Sequence, residues 1–508
     1  MASEHRRIVI IGSGFGGLGL GIRLKRAGIN SFTILEKAAS LGGTWRENTY
    51  PGAACDVPSM LYCFSFDQKN DWTRKWSSQA EIRAYMESSA QRNGILPHIR
   101  FGVEVAGATF EEGKGTWSVR TTTGEEIVAD VLVSAVGQLH HPALPKIPGV
   151  EQFTGEKFHS ASWNHGYDLT GKRVAVIGNA ASAIQFIPEV AKQVAELLIF
   201  QRSANWMIPR NDRAYSEREQ WCFANIPGLS RFYRSWLWCM HEAFLLPMIQ
   251  SKPWATRMYT KAATDYMQQT ITDPELRRTL TPDYPIGGKR VLISDDYYPA
   301  LKRSNVRIVT GAIERISTDS VVTVDGAPHP VDAIIYATGF RTNPFLAPMH
   351  IEGIGGHRLE EDWSQGAHAY YGLTVAGYPN FFMMYGPNTN LGHNSIIFML
   401  ECQISYILSA VQMLIGRDLR YLDLRRDVMD AFNRQLQEAL KQTAWAAAGQ
   451  SWYKDEAGRI TNNWPHSTAV YWWHTRHINL RDYRSEPRAA AMHPLLVGAQ
   501  AATQRAAA

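Results

Sequence analysis

Short apolar runs, each closed by a turn and followed by helical periodicity, recur along this chain. Ile8, Val9, Ile10 and Ile11 form the first, a run of the kind buried on both faces of a parallel sheet. GSGFGG follows, then a helical stretch, then the apolar centre of SFTILEK. The order repeats further on as RVAVIG, NAASA, a helical stretch and LLIFQRS. VLVSAVG (131–137) closes the first unit, and VRIVTG (306–311), SVVTV (320–324) and DAIIYATGF (332–340) close the second. Alternation of this kind predicts an α/β protein with parallel sheets.

Two stretches break the pattern. Residues 211–285 read as helical and aromatic with no glycine-rich phosphate loop, which predicts a helical insertion. Within it, Trp236 to Ile249 is bulky but interrupted by His241, Glu242 and Pro247. Plain helical packing, a substrate tunnel and contact with a membrane surface all stay open for it. The most apolar long stretch, Phe398 to Gly416, carries Glu401, Gln403, Ser405 and Gln412. It predicts a buried amphipathic helix, and no transmembrane segment is expected.

The two glycine loops differ in one telling respect. Gly12, Gly14 and Gly17 spell GxGxxG, and Glu36 closes the next strand. A carboxylate there hydrogen-bonds a ribose 2′-hydroxyl, as FAD or NAD presents. In the second loop Gly178 holds the first glycine position, Ser182 lies four residues on, and Arg202 closes the next strand. An arginine there suits the 2′-phosphate of NADP. Lys289 is a candidate helper of Arg202 at that phosphate. Ala180 stands where the second glycine belongs, and its methyl group would loosen or shift the phosphates. The two loops together predict FAD and NADPH on one chain.

The expected fold class is therefore two Rossmann-like dinucleotide-binding domains, the NADPH domain inserted in the FAD domain. The expected boundaries are 1–150 for the first part of the FAD domain, after the Pro-rich connection LHHPALPKIPGV, and 151–210 for the first part of the NADPH domain. The helical insertion at 211–285 follows, then 286–340 for the second NADPH part, 341–487 for the second FAD part, and an Ala-rich tail at 488–508 expected to be disordered.

Composition narrows the class further. The chain has 508 residues, 45% hydrophobic and 19% charged, which suits a globular enzyme of two or three domains. A net charge of +5 without a basic run argues against nucleic acid as a partner. Five cysteines, at 55, 63, 222, 239 and 402, include no CxxxxC pair, which argues against a flavin disulfide reductase. MASEHRR leads straight into the first strand, and a cytoplasmic enzyme with reduced thiols is expected.

Between the two loops lies FTGEKFHSASWNH, in which Phe153, Gly155, His159 and Trp163 spell FxGxxxHxxxW. This resembles the fingerprint of Baeyer–Villiger monooxygenases and, more loosely, of flavin-containing monooxygenases. LGGTWRENTYPGAACDVPS (41–59), with Thr44, Trp45 and Asp56, is similar to another segment of that family, as are GGKRVLISDDYY (287–298), YATGF (336–340) and Ser451-Trp452-Tyr453. Trp163 favours the Baeyer–Villiger side; Asn164, where Pro or Asp is usual, departs from it.

The resemblance implies insertion of one oxygen atom of O2 next to a ketone carbonyl, giving an ester or lactone, through a C4a-peroxyflavin. It implies that Arg290 is the catalytic cation, that Asp56 positions it, and that Trp452 contacts the nicotinamide. A small apolar ketone is the expected substrate, with Trp206, Phe244, Leu245 and Phe345 as candidate pocket walls. His159 stands as a hydrogen-bonding hinge or an acid. Heteroatom oxidation of amines or sulfides, or a non-catalytic flavoprotein, remain the alternatives at this stage.

Overall fold

The structure is a computed structural model that describes residues 6–342, 345–449, 451–455 and 457–488. Apart from Arg488, the Ala-rich tail lies outside the described residues. Two five-stranded parallel sheets dominate. The first runs in the order Phe381–Met383, Val131–Ser134, Ile8–Ile11, Phe32–Glu36, Ile99–Phe101. The second runs Val306–Val309, Glu196–Phe200, Arg173–Ile177, Ala333–Tyr336, Glu156–His159. Each glycine loop leaves the central strand of its sheet, so both loops open at the carboxyl ends of the strands, where α/β sheets bind ligands.

The chain leaves the first sheet after Ser134, builds the second, and returns with Phe381–Met383 to pair with Val131–Ser134. Antiparallel strands Val105–Glu111, Thr116–Thr121 and Glu126–Ala129 flank the first sheet, joined in parallel by His350–Glu352. Ile8–Ile11 is buried along its whole length, as its unbroken apolar run requires. The long helix Ile396–Gly416 lies against helix Phe15–Arg26 and is largely buried, so it is a core helix.

The 211–285 segment forms helices Glu217–Asn225, Leu229–Met240, Leu246–Ile249, Pro253–Thr270 and Pro274–Leu280, with one π-helical stretch at His241–Leu245. Local sequence sets the starts: Ser216 and Glu219 make a reciprocal capping box, and Asp273 caps the helix that Pro274 opens. Arg234 anchors the segment. Its buried guanidinium donates to the carbonyl oxygens of Met60, Leu61 and Cys63 at 3.0, 3.1 and 2.8 Å.

Candidate active site

The two glycine loops are built alike. Gly12 and Gly178 have φ of 103° and 105°, a region L side chains rarely adopt. A Cβ at either would sit 2.7 Å from the Ala135 carbonyl oxygen or 2.4 Å from that of Ala337. At Gly17 the obstacle is Gly12 itself, whose carbonyl oxygen would lie 1.9 Å from an added Cβ. Gly14 is different. The nearest protein atom to its Cβ position is Gly43 Cα at 3.9 Å, so the space before it is open. No side chain caps the first turn of helix Phe15–Arg26 behind it, leaving amide donors free for a pyrophosphate. Ser182 stands likewise before helix Ala183–Val190 without a capping bond from its side chain.

Both loops face one cavity of about 1150 Å3. That exceeds the usual volume for a single drug-sized ligand, roughly 300–1,000 Å3. Gly12, Gly14, Glu36, Thr44, Trp45, Asp56, Gly178, Ser182, Arg202, Lys289, Arg290 and Trp452 all line it, while Gly17 supports it from behind. Thus the cavity gathers residues that are up to 442 positions apart, from Ile11 to Tyr453.

Glu36 is buried and accepts from the Ser13 amide at 2.9 Å, the Ser13 hydroxyl at 2.7 Å, the Ala38 amide at 3.0 Å and Arg46 at 3.0 Å. Burial pushes its carboxyl up, but these donors together hold it below its ordinary value. It therefore stays an anion with its orientation fixed. Ser13 and Arg46 were not foreseen, although Arg46 lies within the GGTWRENTYPG segment. Trp45 donates through Nε1 to the Tyr62 hydroxyl at 3.2 Å.

Around the second loop, Arg202 is exposed at the cavity rim with Ala180. Lys289 Nζ donates to Ser203 Oγ at 3.1 Å and lies 4.5 Å from the Tyr284 ring centre. Burial, and then the neighbouring Arg202 charge, lower its ammonium. Two cations thus share this rim, near enough to feel one another, with the Asp283 carboxylate partly offsetting them at Lys289, and paired cations suit a phosphate.

Arg290 Nε donates to Asp56 Oδ2 at 2.8 Å, and its NH2 lies 2.5 Å from the same oxygen. Their side chains are 35% and 30% exposed, and both open on the cavity. The Asp56 charge raises the Arg290 guanidinium above its ordinary value, so the cation is permanent. Tyr385 and Tyr453, both cavity residues, lie close enough to feel that charge. Burial pushes the Tyr453 hydroxyl up to about 12, so it stays a neutral phenol. Tyr385 has a left-handed backbone (φ 59°), uncommon for a bulky residue, and donates to Asn390 Oδ1 at 2.7 Å.

The loop that carries Asp56 is gripped from the second domain. Gln185 accepts from the Tyr50 hydroxyl at 3.0 Å and from the Ala54 amide at 3.3 Å, and donates to the Ala54 carbonyl at 3.0 Å. Arg210 donates to the Cys55 carbonyl at 2.9 Å. Cys55 itself is buried and its thiol is raised by that burial, which makes it an inert packing residue. Trp452 offers its carbonyl to Asn462 at 2.5 Å and Thr342 at 3.2 Å, and its ring lies 4.6 Å from that of Tyr453.

The FxGxxxHxxxW residues lie outside the cavity lining. Phe153 packs where a Gly155 Cβ would fall, 2.6 Å from its ring, and Trp163 sits against Phe158 and Phe186. His159 is buried and accepts through Nδ1 from the Ala161 amide at 3.1 Å, which makes it a local cap. Asn164 bonds Glu156 at 2.8 Å and the Gly166 amide at 3.0 Å, so its departure from the family pattern is a turn, away from the cavity.

The four expected pocket walls are corrected: none of Trp206, Phe244, Leu245 and Phe345 lines the cavity. Trp206 turns its indole to the Tyr284 carbonyl at 2.7 Å, Phe345 packs on Trp363, Leu245 joins a separate apolar cluster, and Phe244 is exposed. Apolar side chains of Leu346, Met349, Leu391, Ile396 and Leu400 line the wall instead.

Comparison with known proteins decides what this arrangement belongs to. A family profile described as "Flavin-binding monooxygenase-like" matches residues 5–219. A Baeyer-Villiger monooxygenase of Streptomyces coelicolor is 42% identical, covering 98% of this chain and 95% of the relative. The chain belongs to the Baeyer–Villiger monooxygenases. Among solved structures, an oxidized steroid monooxygenase bound to NADP superposes with a TM-score of 0.84 at 29% identity, over 95% of this chain and 100% of that one. A complex of OTEMO with FAD and NADP gives a TM-score of 0.84 at 26% identity, over 94% and 99% of the two chains. The enzyme is thus an FAD- and NADP-dependent Baeyer–Villiger monooxygenase with the two-domain fold of its relatives, and the non-catalytic reading falls away.

Proposed function

We propose that this Baeyer–Villiger monooxygenase acts on a small apolar ketone, with Arg290 as the catalytic cation and Asp56 as the residue that positions it. The Arg290–Asp56 pair carries the proposal: Asp56 fixes a permanently protonated guanidinium at the wall of the cavity that both glycine loops face. When bound, FAD reduced by NADPH supplies the activation of dioxygen. The protein's task is to hold charge and to exclude water. Negative charge develops on oxygen as a ketone becomes an ester, and a guanidinium that never loses its proton stabilises it without reorganising. Asp56 keeps the guanidinium aimed, and Gln185 and Arg210 hold the loop on which Asp56 stands.

In this reading Glu36 takes the FAD ribose, with Gly12, Gly14 and Gly17 around its pyrophosphate and Thr44 and Trp45 beside it. Gly178 and Ser182 serve the NADPH phosphates, Arg202 and Lys289 the 2′-phosphate, and Trp452 the nicotinamide. The apolar wall from Leu346 to Leu400 supports an apolar ketone over a charged one. The five unpaired cysteines agree with work in the cytoplasm. A panel of ketones and sulfides, run with NADPH and oxygen and analysed for products, tests the reading. Esters or lactones are expected, and oxidised sulfides alone would overturn it.

Cofactor choice follows from the paired cations. A charge-assisted contact contributes about 1.5–3 kcal/mol. Arg202→Ala is therefore expected to raise the NADPH KM roughly tenfold to a hundredfold while NADH is nearly unaffected. Equal losses with both cofactors would remove Arg202 from the phosphate site. Ala180→Gly, at the same rim, is expected to keep activity and leave the NADPH KM equal or lower.

A further inference from the structure

The helical segment exposes an aromatic stripe that the cavity does not use. Along helix Leu229–Met240 and its π-helical continuation, Phe232, Trp236, Cys239 and Ala243 recur at helical spacing on the solvent side. Phe232 is 70% exposed and Trp236 47%. The stripe continues through Phe244, whose ring lies 6.4 Å from that of Trp254, itself 51% exposed. From Phe232 to Phe244 it spans roughly 18 Å at 1.5 Å per residue. Single exposed apolar residues are ordinary; a continuous stripe with two tryptophans marks an interaction surface.

Charge says what kind. Arg218, Arg231, Lys252 and Arg257 are exposed on the same segment, and none has an ion-pair partner among the described residues. Of the nearby acids, Glu219 is paired with Arg213, Asp212 with Arg74 and Asp265 with Lys261, and Glu217 is exposed beside Arg218. Glu242 is turned inward, accepting from Thr468 and from Asn394 at 2.8 Å. A second copy of this chain would bring these cations against their own images, because a two-fold interface repeats one patch on both sides. An anionic lipid surface meets both features, since tryptophan favours the headgroup level and each cation near the surface adds attraction.

We propose that Phe232, Trp236, Phe244 and Trp254, with the four exposed cations of the same segment, form a peripheral docking surface for anionic membranes. The surface stands close to the cavity, because Glu242 of this helix holds Asn394, which lines it. Apolar compounds concentrate in lipid, so docking there puts the cavity next to its supply. The surface itself does not depend on which compound that is.

The test uses the full-length FAD-loaded enzyme and vesicles of phosphatidylcholine with phosphatidylglycerol, beside vesicles of phosphatidylcholine alone. Co-sedimentation with the mixed vesicles, weakened by salt and accompanied by a blue shift of tryptophan emission, is expected. Two variants, F232S/W236S and R231Q/R257Q, are each expected to weaken it roughly tenfold or more. FAD content and turnover of a water-soluble ketone should stay at the parent level, since none of these side chains lines the cavity and Trp236 touches the core only through the edge residue Tyr233. Absence of vesicle binding by the parent overturns the proposal, as does binding unchanged in both variants. A self-associated species in sedimentation that F232S/W236S dissolves also overturns it, and assigns the stripe to a second copy instead.

Discussion

Arg290→Ala is expected to make almost no ester while still consuming NADPH. The side chain faces the cavity and donates to Asp56 at 2.8 Å, so its removal takes away a charge and leaves the sheets untouched. Losing one electrostatic contact to a developing oxyanion costs about 3–4 kcal/mol, or roughly a hundredfold to a thousandfold in turnover. Reduction of FAD by NADPH, for which the proposal assigns binding to Arg202 and Lys289, is expected to survive. Electrons then reach oxygen without product, and hydrogen peroxide should account for the NADPH consumed. Asp56→Ala is expected to give a milder form of the same defect. An Arg290→Ala enzyme that forms ester at the parent rate would contradict the role assigned to the charge; one that loses only NADPH affinity would move Arg290 to the phosphate site.

Gly14→Val is expected to give folded but colourless protein. At Gly12 and Gly17 any side chain meets a carbonyl oxygen at 2.7 and 1.9 Å, so substitutions there threaten the fold itself. Gly14 separates binding from folding, because its nearest neighbour is Gly43 Cα at 3.9 Å. A valine there fills the space in front of the helix Phe15–Arg26 amides and excludes the pyrophosphate. Circular dichroism should match the parent while absorbance near the flavin bands vanishes. Full flavin occupancy in this variant would place FAD elsewhere.

Much of this site was legible in the sequence because local rules govern it. The two glycine loops follow from strand, turn and helix in immediate succession, and Glu36 and Arg202 follow each loop at similar offsets. Arg290 and Asp56 are 234 positions apart, and no local pattern pairs them; the resemblance did, and the structure brings them into contact. What stayed hidden depends on tertiary direction. Gln185 reads as one more helix residue, yet its amide clasps the loop of Tyr50 to Ala54. Tyr385 owes its place to a left-handed backbone that nothing in GPNTN announces. The pocket walls failed for the same reason: nothing local to Trp206, Phe244, Leu245 or Phe345 tells a cavity wall from other packing, and Phe244 is exposed.

The most direct measurement is turnover of a ketone with NADPH under 18O2, followed by mass analysis of the product. One labelled oxygen per ester or lactone, with one NADPH consumed for each, is the expected result for the parent enzyme, together with loss of that labelled product in Arg290→Ala. An unlabelled ester, or a ketone recovered unchanged while a sulfide takes up the label, would contradict it.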